Sequence, residues 1–351
     1  MKVLIVGPSP TKSKGGMATV IQEILESDIL NNEFDLEIHE SYRDGNIFYR
    51  LLFSIYSFIK FLFIYNKYDI FHLHIASNGS TFRKMLYVRL IKQYNKKLIL
   101  HIHGGQYIEF YEKLSKKNKK KVIEFLNKAD YVIALSEKWK ECFEIKFNLK
   151  NCIVLQNGVD IKKYERAKKY PEKLNKKFLF LGRVVKDKGI FDLIEAIYIV
   201  VKKHKDVQIY IGGEGDTVKV SNLIMKYKLE KNIKLVGWLD KEKKITILSK
   251  VDTFILPSHC EALPMSILEA MACGKAIIST KVGAIPEIIS ENNGILVEAK
   301  NITEIAEAII KCCEDDLWMQ KVYSVNIDKI FNFYNMEYIH KKLKKYYYNI
   351  I

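Results

Sequence analysis

Residues 257–289 read PSHCEALPMSILEAMACGKAIISTKVGAIPEII, the most informative stretch of the sequence. Glu261 and Glu269 lie eight residues apart, separated by a proline-containing loop and then by the start of a predicted helix. This spacing places Glu269 one turn inside the helix and Ser266 near its N-cap. A carboxylate there can accept hydrogen bonds from a ribose diol. The loop 262–266 can present backbone N–H groups to phosphate or sugar hydroxyls.

Short β-branched runs alternate with longer amphipathic stretches, a pattern typical of βα units around parallel sheets. A polar, lysine-rich stretch at residues 160–176 contains Pro171 and is predicted to be a linker. We therefore expect an α/β protein with Rossmann-like domains at residues 1–165 and 175–325, and a helical segment, 326–351, able to pack back across the first domain. The predicted strands are 3–6, 36–39, 70–74, 98–101, 131–135, 152–155, 177–181, 208–212, 233–236, 253–256, 276–279 and 294–297.

The composition is that of a globular protein, since 48% of the 351 residues are hydrophobic and 28% are charged. The six cysteines form no C-x-x-C pair, so we predict reduced, buried thiols in a cytoplasmic protein. The N-terminal MKVLIVGPSP has too short an apolar run for a signal peptide and is predicted to be the first strand. No Asp-x-Asp motif occurs in the usual setting, and we expect neither a metal nor a cofactor.

The formal net charge is +16, and most of the excess lies in the first half. Residues 1–170 hold 29 lysines and arginines against 18 aspartates and glutamates, with a dense basic run at residues 116–121. An anionic membrane surface attracts such clusters by roughly 1 kcal/mol per basic residue. No nucleic-acid-binding pattern accompanies the charge. We therefore expect peripheral contact with an anionic membrane and no nucleic acid, with a lysine-rich composition as the simpler alternative.

Residues 47–65, IFYRLLFSIYSFIKFLFIY, are almost entirely apolar. Arg50 and Lys60 interrupt the run, and charges are costly deep in a bilayer. Strand patterns flank it on both sides, where a βαβ unit needs its crossover helix. The sequence therefore predicts a buried or interfacial helix rather than a transmembrane span, with outer aromatic residues able to rest on a bilayer.

Residues 178–197, FLFLGRVVKDKGIFDLIEAI, predict an anion-binding turn. A strand ends, a glycine turns the chain, and Arg183 and Lys188 follow on the way into the next helix. An arginine can hold phosphate oxygens bidentately, and a lysine adds a point charge. Both residues follow the C-terminal end of a strand, where ligands bind in open α/β sheets.

A weaker phosphate-binding candidate is SKGGMATVIQEIL at residues 13–25, where Gly15 and Gly16 precede a predicted helix. Glycines let backbone N–H groups approach a ligand, and a helix N-terminus favours an anion. The stretch matches neither the G-x-G-x-x-G fingerprint nor a Walker loop. A tight turn before a helix would explain the same glycines.

Four histidines lie on two predicted strands of the first domain. His103 follows a strand and precedes two glycines in LILHIHGGQYIEFY, so it is a candidate catalytic residue. His101 lies two residues earlier, on the same face if the strand continues. His72 and His74 alternate along another strand and are expected to be structural.

These motifs together resemble the large retaining GT-B glycosyltransferase family, the glycosyl transferases of group 1, which includes bacterial polysaccharide and lipid-linked glycan enzymes. The resemblance rests on Arg183 and Lys188 followed by Glu261-x7-Glu269, and on GGMATV, HIHGG, YVIALS and QNGVD at matching places along nearly the whole chain. It implies two Rossmann-like domains facing across a cleft and a retaining transfer of sugar from a nucleotide-sugar donor.

The resemblance also implies roles for individual residues of the second domain. Arg183 and Lys188 hold the donor pyrophosphate and stabilise the leaving phosphate, while Glu269 binds the ribose hydroxyls. Glu261 contacts the transferred sugar, either stabilising an oxocarbenium-like sugar or attacking it. The backbone that lines the sugar is that of Ala262, Leu263, Pro264, Met265 and Ser266.

Other implied contacts come from both domains. Gly15 and Gly16 close over phosphate and sugar, and His103 contacts the sugar and assists the acceptor. The residues that border the nucleotide base are Gly213, Glu214, Gly215, Gly237, Trp238 and Leu239.

We accordingly expect a hexosyltransferase that uses a UDP-sugar, with GDP-sugars left open, and a lipid-linked or growing glycan acceptor in surface polysaccharide synthesis. Its expected location is the cytoplasmic face of the cell membrane. One alternative is a nucleotide-sugar epimerase or phosphorylase of the same shape. Another is an inactive nucleotide-sugar-binding subunit, which the presence of all four charged site residues argues against.

Overall fold

Two parallel six-stranded sheets form the scaffold of the chain, in a computed structural model that describes residues 1–170 and 174–351. The contacts among these residues divide the chain into two units. Unit 1 comprises Met1–Asn157 and Glu337–Ile351, and unit 2 comprises Gly158–Met336. Pro171 of the predicted linker lies outside the described residues.

Unit 1 contains six strands and the helices that cross between them. The strands are β1 Lys2–Pro8, β2 Asp35–Tyr42, β3 Ile70–Ile75, β4 Lys97–Ile102, β5 Tyr131–Ala134 and β6 Cys152–Val154. Their order is β2-β1-β3-β4-β5-β6, with every neighbouring pair parallel. The helices are α1 Gly16–Leu25, α2 Asp28–Asn31, α3 Ile47–Ile64, α4 Gly79–Gln93, α5 Tyr107–Glu112, α6 Lys116–Asn127 and α7 Glu137–Phe147.

Unit 2 also has a parallel six-stranded sheet, with a different strand order. Its strands are β7 Lys177–Leu181, β8 Gln208–Gly212, β9 Ile233–Gly237, β10 Thr253–Leu256, β11 Ala276–Thr280 and β12 Gly294–Val297, in the order β12-β11-β10-β7-β8-β9. Its helices are α8 Ile161–Tyr164, α9 Ile190–Val200, α10 Thr217–Lys226, α11 Lys241–Leu248, α12 Met265–Ala272, α13 Ile285–Ile288, α14 Ile302–Glu314 and α15 Asp316–Phe333. The last helix of the chain is α16 Met336–Asn349.

The predicted strands agree with the observed ones to within a few residues, because strands buried on both faces are continuous runs of Val, Ile, Leu and Phe. The linker prediction is wrong in its first part. Residues 161–167 form α8 and a 3-10 turn, and their side chains Tyr164 and Ala167 are buried in unit 2.

The C-terminal segment is divided between the two units. Residues 326–333 end α15 and belong to unit 2. The helix α16 belongs to unit 1, as expected for a helix that returns to the first domain. Its buried positions follow helical spacing and join the core of unit 1; they are Ile339, Leu343, Tyr347 and Ile350.

Four imidazole rings gather on one face of the unit 1 sheet. His74 of β3 stands opposite His101 of β4 in the strand register. His72 Nε2 lies 3.2 Å from His101 Nδ1, and His74 Nδ1 lies 2.8 Å from His103 Nε2. His72, His74 and His101 are buried, and burial lowers the pKa of His72 and of His103 to about 3. These four side chains, which we call the histidine cluster, are therefore neutral near pH 7.

The histidine cluster is the only grouping of metal-ligand side chains found in the described residues, with one ligand atom each of His72, His74 and His101 within 4.8 Å of the others. Hydrogen bonds already occupy most of these ring nitrogens. His72 uses both of its nitrogens, because Nδ1 also lies 2.7 Å from the Tyr347 hydroxyl of α16. Among His72, His74 and His101, only the buried Nε2 atoms of His74 and His101 lack partners. Two nitrogens fall short of the three protein ligands of a catalytic zinc site, so these three histidines are interpreted as structural.

The helix α3 was predicted to be either buried or interfacial. Of its side chains only Ser57 and Phe61 are buried, so the alternative of a buried helix is wrong. With the turn that follows it, α3 spans Ile47–Lys67 and is long and apolar enough, by length and composition alone, to cross a membrane. The prediction of buried thiols is wrong for Cys142 and Cys260, which are only half-buried. All six cysteines are free.

We expect the free energy of unfolding of unit 1 to fall as the pH drops below about 6.5, the pKa of an unfolded histidine. Burial lowers the folded pKa of His39 and of His72 to about 3, so their stabilising effect is complete above the unfolded pKa and is lost as the pH falls toward the folded pKa. Each of these two histidines should lower the free energy of unfolding by about 1.4 kcal/mol when the pH falls from about 7.5 to about 5.5.

The measurement is denaturant unfolding followed by Trp139 fluorescence in the variant Trp238→Phe/Trp318→Phe. These substitutions leave Trp139, in unit 1, as the tryptophan of the chain. Equal unfolding free energies at the two pH values would contradict the interpretation of these histidines as buried and neutral.

Candidate functional site

The loops after β7 and β10 meet at the C-terminal edge of the unit 2 sheet. These strands are neighbours, with Phe178 opposite Thr253, and the chain order runs outward from them in both directions. This reversal of strand order is a topological switch point. In open parallel sheets, ligands bind beyond the strand ends at such a point.

Lys188 and Glu261 form an ion pair at this switch point. The Lys188 Nζ atom lies 2.5 Å from Oε1 of Glu261, and the Ser258 hydroxyl donates a hydrogen bond to the same oxygen at 2.8 Å. The residue Glu261 is only 9% exposed, so its charge interacts through a medium less polar than water. The structure thus brings together the predicted phosphate-binding lysine and the predicted sugar-binding carboxylate.

A close approach of two backbones makes this ion pair possible. Lys188 ends a 3-10 turn, and Gly189, with φ of +68°, begins α9. A Cβ atom on Gly189 would lie 1.9 Å from the carbonyl oxygen of Pro257, so a side chain at this position would push the two loops apart. The glycine therefore fixes how close the loop after β7 comes to the loop after β10.

Two hydrogen bonds from His259 join the same loops. Its backbone N–H donates to the Asp187 carbonyl oxygen at 2.9 Å, and its Nε2 lies 2.6 Å from the Asp192 carboxylate. Asp192 belongs to the first turn of α9, where a carboxylate also interacts favourably with the helix dipole. Together with Gly189, His259 holds Lys188 and Glu261 on adjacent, fixed loops.

Glu269 lies one turn inside α12, as the sequence predicted. It is 3% exposed, and the Lys244 Nζ atom of α11 lies 2.6 Å from one of its carboxylate oxygens and 2.8 Å from the other. Lys244 therefore balances a charge that would be costly to bury alone. No spacing in the sequence links α11 to α12, and this contact was missed.

The loop between the two glutamates is largely buried. Its carbonyl at Ala262 accepts a hydrogen bond from the N–H of Ala284 at 2.8 Å, and Gly283 lies so close that a Cβ there would meet the Glu261 carbonyl oxygen at 2.1 Å. Pro264 is the N-cap of α12, and Ser266 is the second helical residue, close to the cap. The N–H of Ile267 donates to the carbonyl oxygen of Pro264 at 3.2 Å, whereas those of Met265 and Ser266, at the start of α12, have no acceptor within the helix and are available to an anion.

Arg183 lies beyond the end of β7 and is exposed. Its neighbour Val184 forms a bridge with Gly215, which follows β8, so the loops after β7 and β8 are joined. Trp238 follows β9 and is 44% exposed. Gly237 is the last residue of β9 rather than the first of its loop, one residue later than the predicted strand end.

Three predicted site residues belong to unit 1. Gly15 is the N-cap of α1 and Gly16 is its first residue, and both are exposed. His103 follows β4 and is half-buried, with its Nε2 atom bonded to His74. Because burial lowers its pKa to about 3, His103 offers a neutral imidazole near pH 7.

Both halves of the chain match models of one enzyme class. Residues 15–163 match "Glycosyltransferase Family 4", and residues 161–327 match "Glycosyl transferases group 1". An uncharacterized glycosyltransferase of Methanocaldococcus jannaschii is 31% identical over 310 residues, which cover 83% of this chain and 76% of that protein. The chain belongs to the group 1 glycosyl transferases.

This glycosyltransferase has the GT-B fold, as the resemblance in its sequence implied. The structure of HepE from Anabaena in complex with UDP-glucose matches it with a TM-score of 0.80 at 20% identity, over 99% of this chain and 100% of that one. The capsular polysaccharide biosynthesis glycosyltransferase CapM of Staphylococcus aureus is 28% identical, over 54% of this chain and 52% of CapM.

Two glycines of the glycosyltransferase allow the effect of the contact between the loops after β7 and β10 to be separated from the effect of backbone strain. Substitution of either glycine strains the backbone, but only substitution of Gly189 also disturbs the contact. Gly189 and Gly237 have nearly equal φ, +68° and +69°, but a Cβ on Gly237 would meet nothing within 4 Å. We expect Gly237→Ala to cost about 1–2 kcal/mol of unfolding free energy, the strain of a left-handed residue. Gly189→Ala should cost a further ~2 kcal/mol or more, because Pro257 must move.

Denaturant unfolding of the two variants, followed by Trp318 fluorescence in unit 2, measures the difference. Equal losses would mean that the loops after β7 and β10 are not held by their close approach. A larger loss for Gly189→Ala, accompanied by weaker nucleotide binding, is the expected result.

Proposed function

We propose that this enzyme transfers a hexose-type sugar from a UDP-sugar, with retention of anomeric configuration, to a lipid-linked or growing glycan acceptor in surface polysaccharide synthesis. The observation that carries the proposal is the Lys188–Glu261 ion pair at the switch point of the unit 2 sheet. A cation suited to phosphate stands there beside a carboxylate suited to a sugar.

The donor contacts follow from the chemistry of each group. Lys188 and the exposed Arg183 bind the pyrophosphate, and Arg183 can do so bidentately. The buried carboxylate of Glu269 accepts hydrogen bonds from the ribose diol, with Lys244 holding it in place through both carboxylate oxygens. The N–H groups at the start of α12 bind donor oxygens, and those at Gly15 and Gly16 of unit 1 remain a separate candidate for binding phosphate.

Loops at the ends of β8 and β9 complete the proposed donor site. The exposed ring of Trp238, together with Gly237 and Leu239, borders the nucleotide base. The support for a UDP-sugar is the fold shared with HepE, whose structure was determined with UDP-glucose. The contacts just described bind the parts that nucleotide sugars have in common, so they leave the sugar itself open.

The ion pair also supports a mechanism. When the donor pyrophosphate binds, its oxygens compete with Glu261 for Lys188, and the carboxylate is freed to face the sugar. The bond between the anomeric carbon and the phosphate oxygen breaks, and Lys188 and Arg183 stabilise the charge that grows on the phosphate. Glu261 stabilises the oxocarbenium-like sugar. The acceptor oxygen bonds to the same face of that carbon and gives its proton to the leaving phosphate.

His103 is proposed to assist at the sugar and the acceptor. Its Nε2 is held by His74, which leaves Nδ1 as the nitrogen able to bond a hydroxyl. A neutral imidazole can donate or accept such a bond but brings no charge. This role is that of positioning a hydroxyl rather than balancing phosphate charge.

The acceptor and location are supported by charge. Residues 1–170 carry most of the net positive charge of the chain, which suits an enzyme that works at the inner face of an anionic membrane. CapM, a relative named for capsular polysaccharide biosynthesis, supports a glycan acceptor of the same kind.

The proposed roles of Glu261 and Glu269 can be distinguished by measuring UDP binding and sugar transfer in variants of each residue. UDP contains the ribose but not the transferred hexose, so we expect Glu269→Ala to weaken UDP binding about 10- to 100-fold, the effect of losing hydrogen bonds to a charged group. Glu261→Gln should bind UDP like wild type but lose transfer about 100-fold or more. Calorimetric titration with UDP and a transfer assay measure the two effects.

A matched pair of lysines in one turn provides the control. Lys188→Ala should lower turnover about 100- to 1000-fold, whereas Lys186→Ala, which removes an exposed lysine of the same turn, should leave turnover near wild type. Wild-type turnover in both Lys188→Ala and Glu269→Ala would overturn the site assignment. Donor hydrolysis or isomerisation without transfer, in the presence of membrane acceptor fractions, would favour the epimerase or phosphorylase alternative.

A further inference from the structure

The outer face of α3 is an apolar stripe open to solvent. Ten large apolar or aromatic side chains of this helix are more than two-fifths exposed; they are Ile47, Phe48, Tyr49, Leu51, Leu52, Ile55, Tyr56, Ile59, Leu62 and Phe63. Phe48, Leu52, Ile55, Ile59 and Leu62 are spaced by three or four residues, so they lie along one side of the helix. We call this set of ten the α3 stripe. Soluble proteins rarely leave so continuous an apolar surface without a partner.

The inner side of α3 fixes the helix on unit 1. The hydroxyl of Ser57 donates to the carbonyl oxygen of Glu40 at 2.8 Å, and the ring of Phe61 lies 4.7 Å from that of Tyr87. The helix joins β2 to β3, which belong to one sheet. Its 21 residues would reach about 31 Å, enough to cross a bilayer, but crossing would carry this sheet into the hydrocarbon. The helix can therefore only lie along a surface.

The charged residues of α3 and of its neighbour α4 are all basic. Residues 47–67 contain Arg50, Lys60 and Lys67 and no acidic residue. The neighbouring helix α4 also lacks acidic residues and exposes Arg89. A ring contact joins the two helices, with Phe58 against Tyr87 at 5.2 Å. The two helices therefore contribute basic charges and no acidic ones to this side of unit 1.

We propose that the α3 stripe is the surface by which this enzyme docks on an anionic lipid bilayer, with α3 in the plane of the interface. Apolar and aromatic side chains on one face, with lysines and arginines at its border, are the features of helices that lie in the headgroup region. This inference rests on the proposed function at the membrane and identifies the part of the chain that makes the contact.

A second copy of the chain is the competing occupant, and charge disfavours it. Two α3 faces packed together would bring Lys60, Lys67 and Arg89 of both copies close to one another without an acidic residue on either helix to balance them. A bilayer rich in anionic lipid supplies that balance. The basic run at residues 116–121 adds long-range attraction, but it carries no apolar surface of this kind.

Vesicle flotation of the full chain tests the proposal without donor or acceptor. Wild type should float with vesicles containing about one-third phosphatidylglycerol, and the variant Phe48→Ser/Leu52→Ser/Ile59→Ser/Phe63→Ser should bind at least tenfold more weakly. The matched control removes the same number of exposed apolar side chains elsewhere: Ile145→Ser, Val218→Ser, Leu317→Ser and Phe331→Ser. The control should bind like wild type.

Further measurements test whether the variants misfold, whether the basic residues contribute to binding, and whether a second copy of the chain covers the α3 stripe. Calorimetric UDP binding at wild-type strength shows that the variants fold. Replacing Lys60, Lys67 and Arg89 by Gln should weaken binding to these vesicles by about fivefold per charge and leave binding to neutral vesicles unchanged. Sedimentation velocity shows whether wild type is a dimer and whether the α3 variant is a monomer.

The insertion of the stripe can be observed directly. Tyr56→Trp places a tryptophan at a position that is 61% exposed, and its added fluorescence should shift to the blue and be quenched by lipids brominated on their acyl chains. Flotation that is equal for wild type and the α3 variant, an unquenched Trp at position 56, or a dimer dissociated by the α3 variant without vesicle binding would each overturn the proposal. If wild type floats with the vesicles as expected but transfers no sugar, that result would count against the proposed function alone.

Discussion

The ion pair between Lys188 and Glu261 depends on a backbone contact, and the proposed chemistry of the site depends on the ion pair. Gly189 lets the loop after β7 touch Pro257 in the loop after β10, so the two charged groups are brought together by adjacent parallel strands rather than by their own attraction. A buried pair of this kind contributes little net stability, because desolvation offsets the attraction. Its value is that both charges are already in place when the donor arrives.

The sequence predicts this arrangement well where local pattern and topology determine it. Runs of β-branched residues predict the strands, and parallel topology brings their C-terminal ends to one edge, so Lys188 and Glu261 could be expected near each other. Lys244 and Ser258 could not, because their contacts with the two glutamates depend on how α11 and the loop after β10 pack. The linker at residues 160–176 was misjudged because its polar residues conceal Tyr164 and Ala167, which anchor it in unit 2.

Unit 1 reverses the usual burial preferences at two places. The histidine cluster is buried and neutral, and its hydrogen bonds reach Tyr347 in α16, so a polar contact helps to attach the end of the chain to the unit 1 core. The α3 stripe is apolar and exposed. Neither feature follows from local sequence, because a helix rich in Phe, Leu and Ile is as typical of a core as of an interface. Only the packing of Ser57 and Phe61 against the unit shows which side of α3 faces inward.

The α3 stripe and the donor site also make different demands on the protein. The donor site needs fixed loops, and close backbone contacts supply them. A membrane-docking helix needs an open surface, which gains its partner only at the bilayer. A relative of this glycosyltransferase family that acts on a soluble acceptor would need the first feature but not the second.

A crystal structure of the enzyme with UDP would be the sharpest test of the proposed donor site. We expect a phosphate oxygen to lie about 3 Å from the Lys188 Nζ atom, within hydrogen-bond distance. We also expect the ribose hydroxyls to donate to the Glu269 carboxylate and Glu261 to be released from Lys188. UDP bound away from the ends of β7 and β10, or bound there with the Lys188–Glu261 pair intact and no contact to Glu269, would contradict the proposed site.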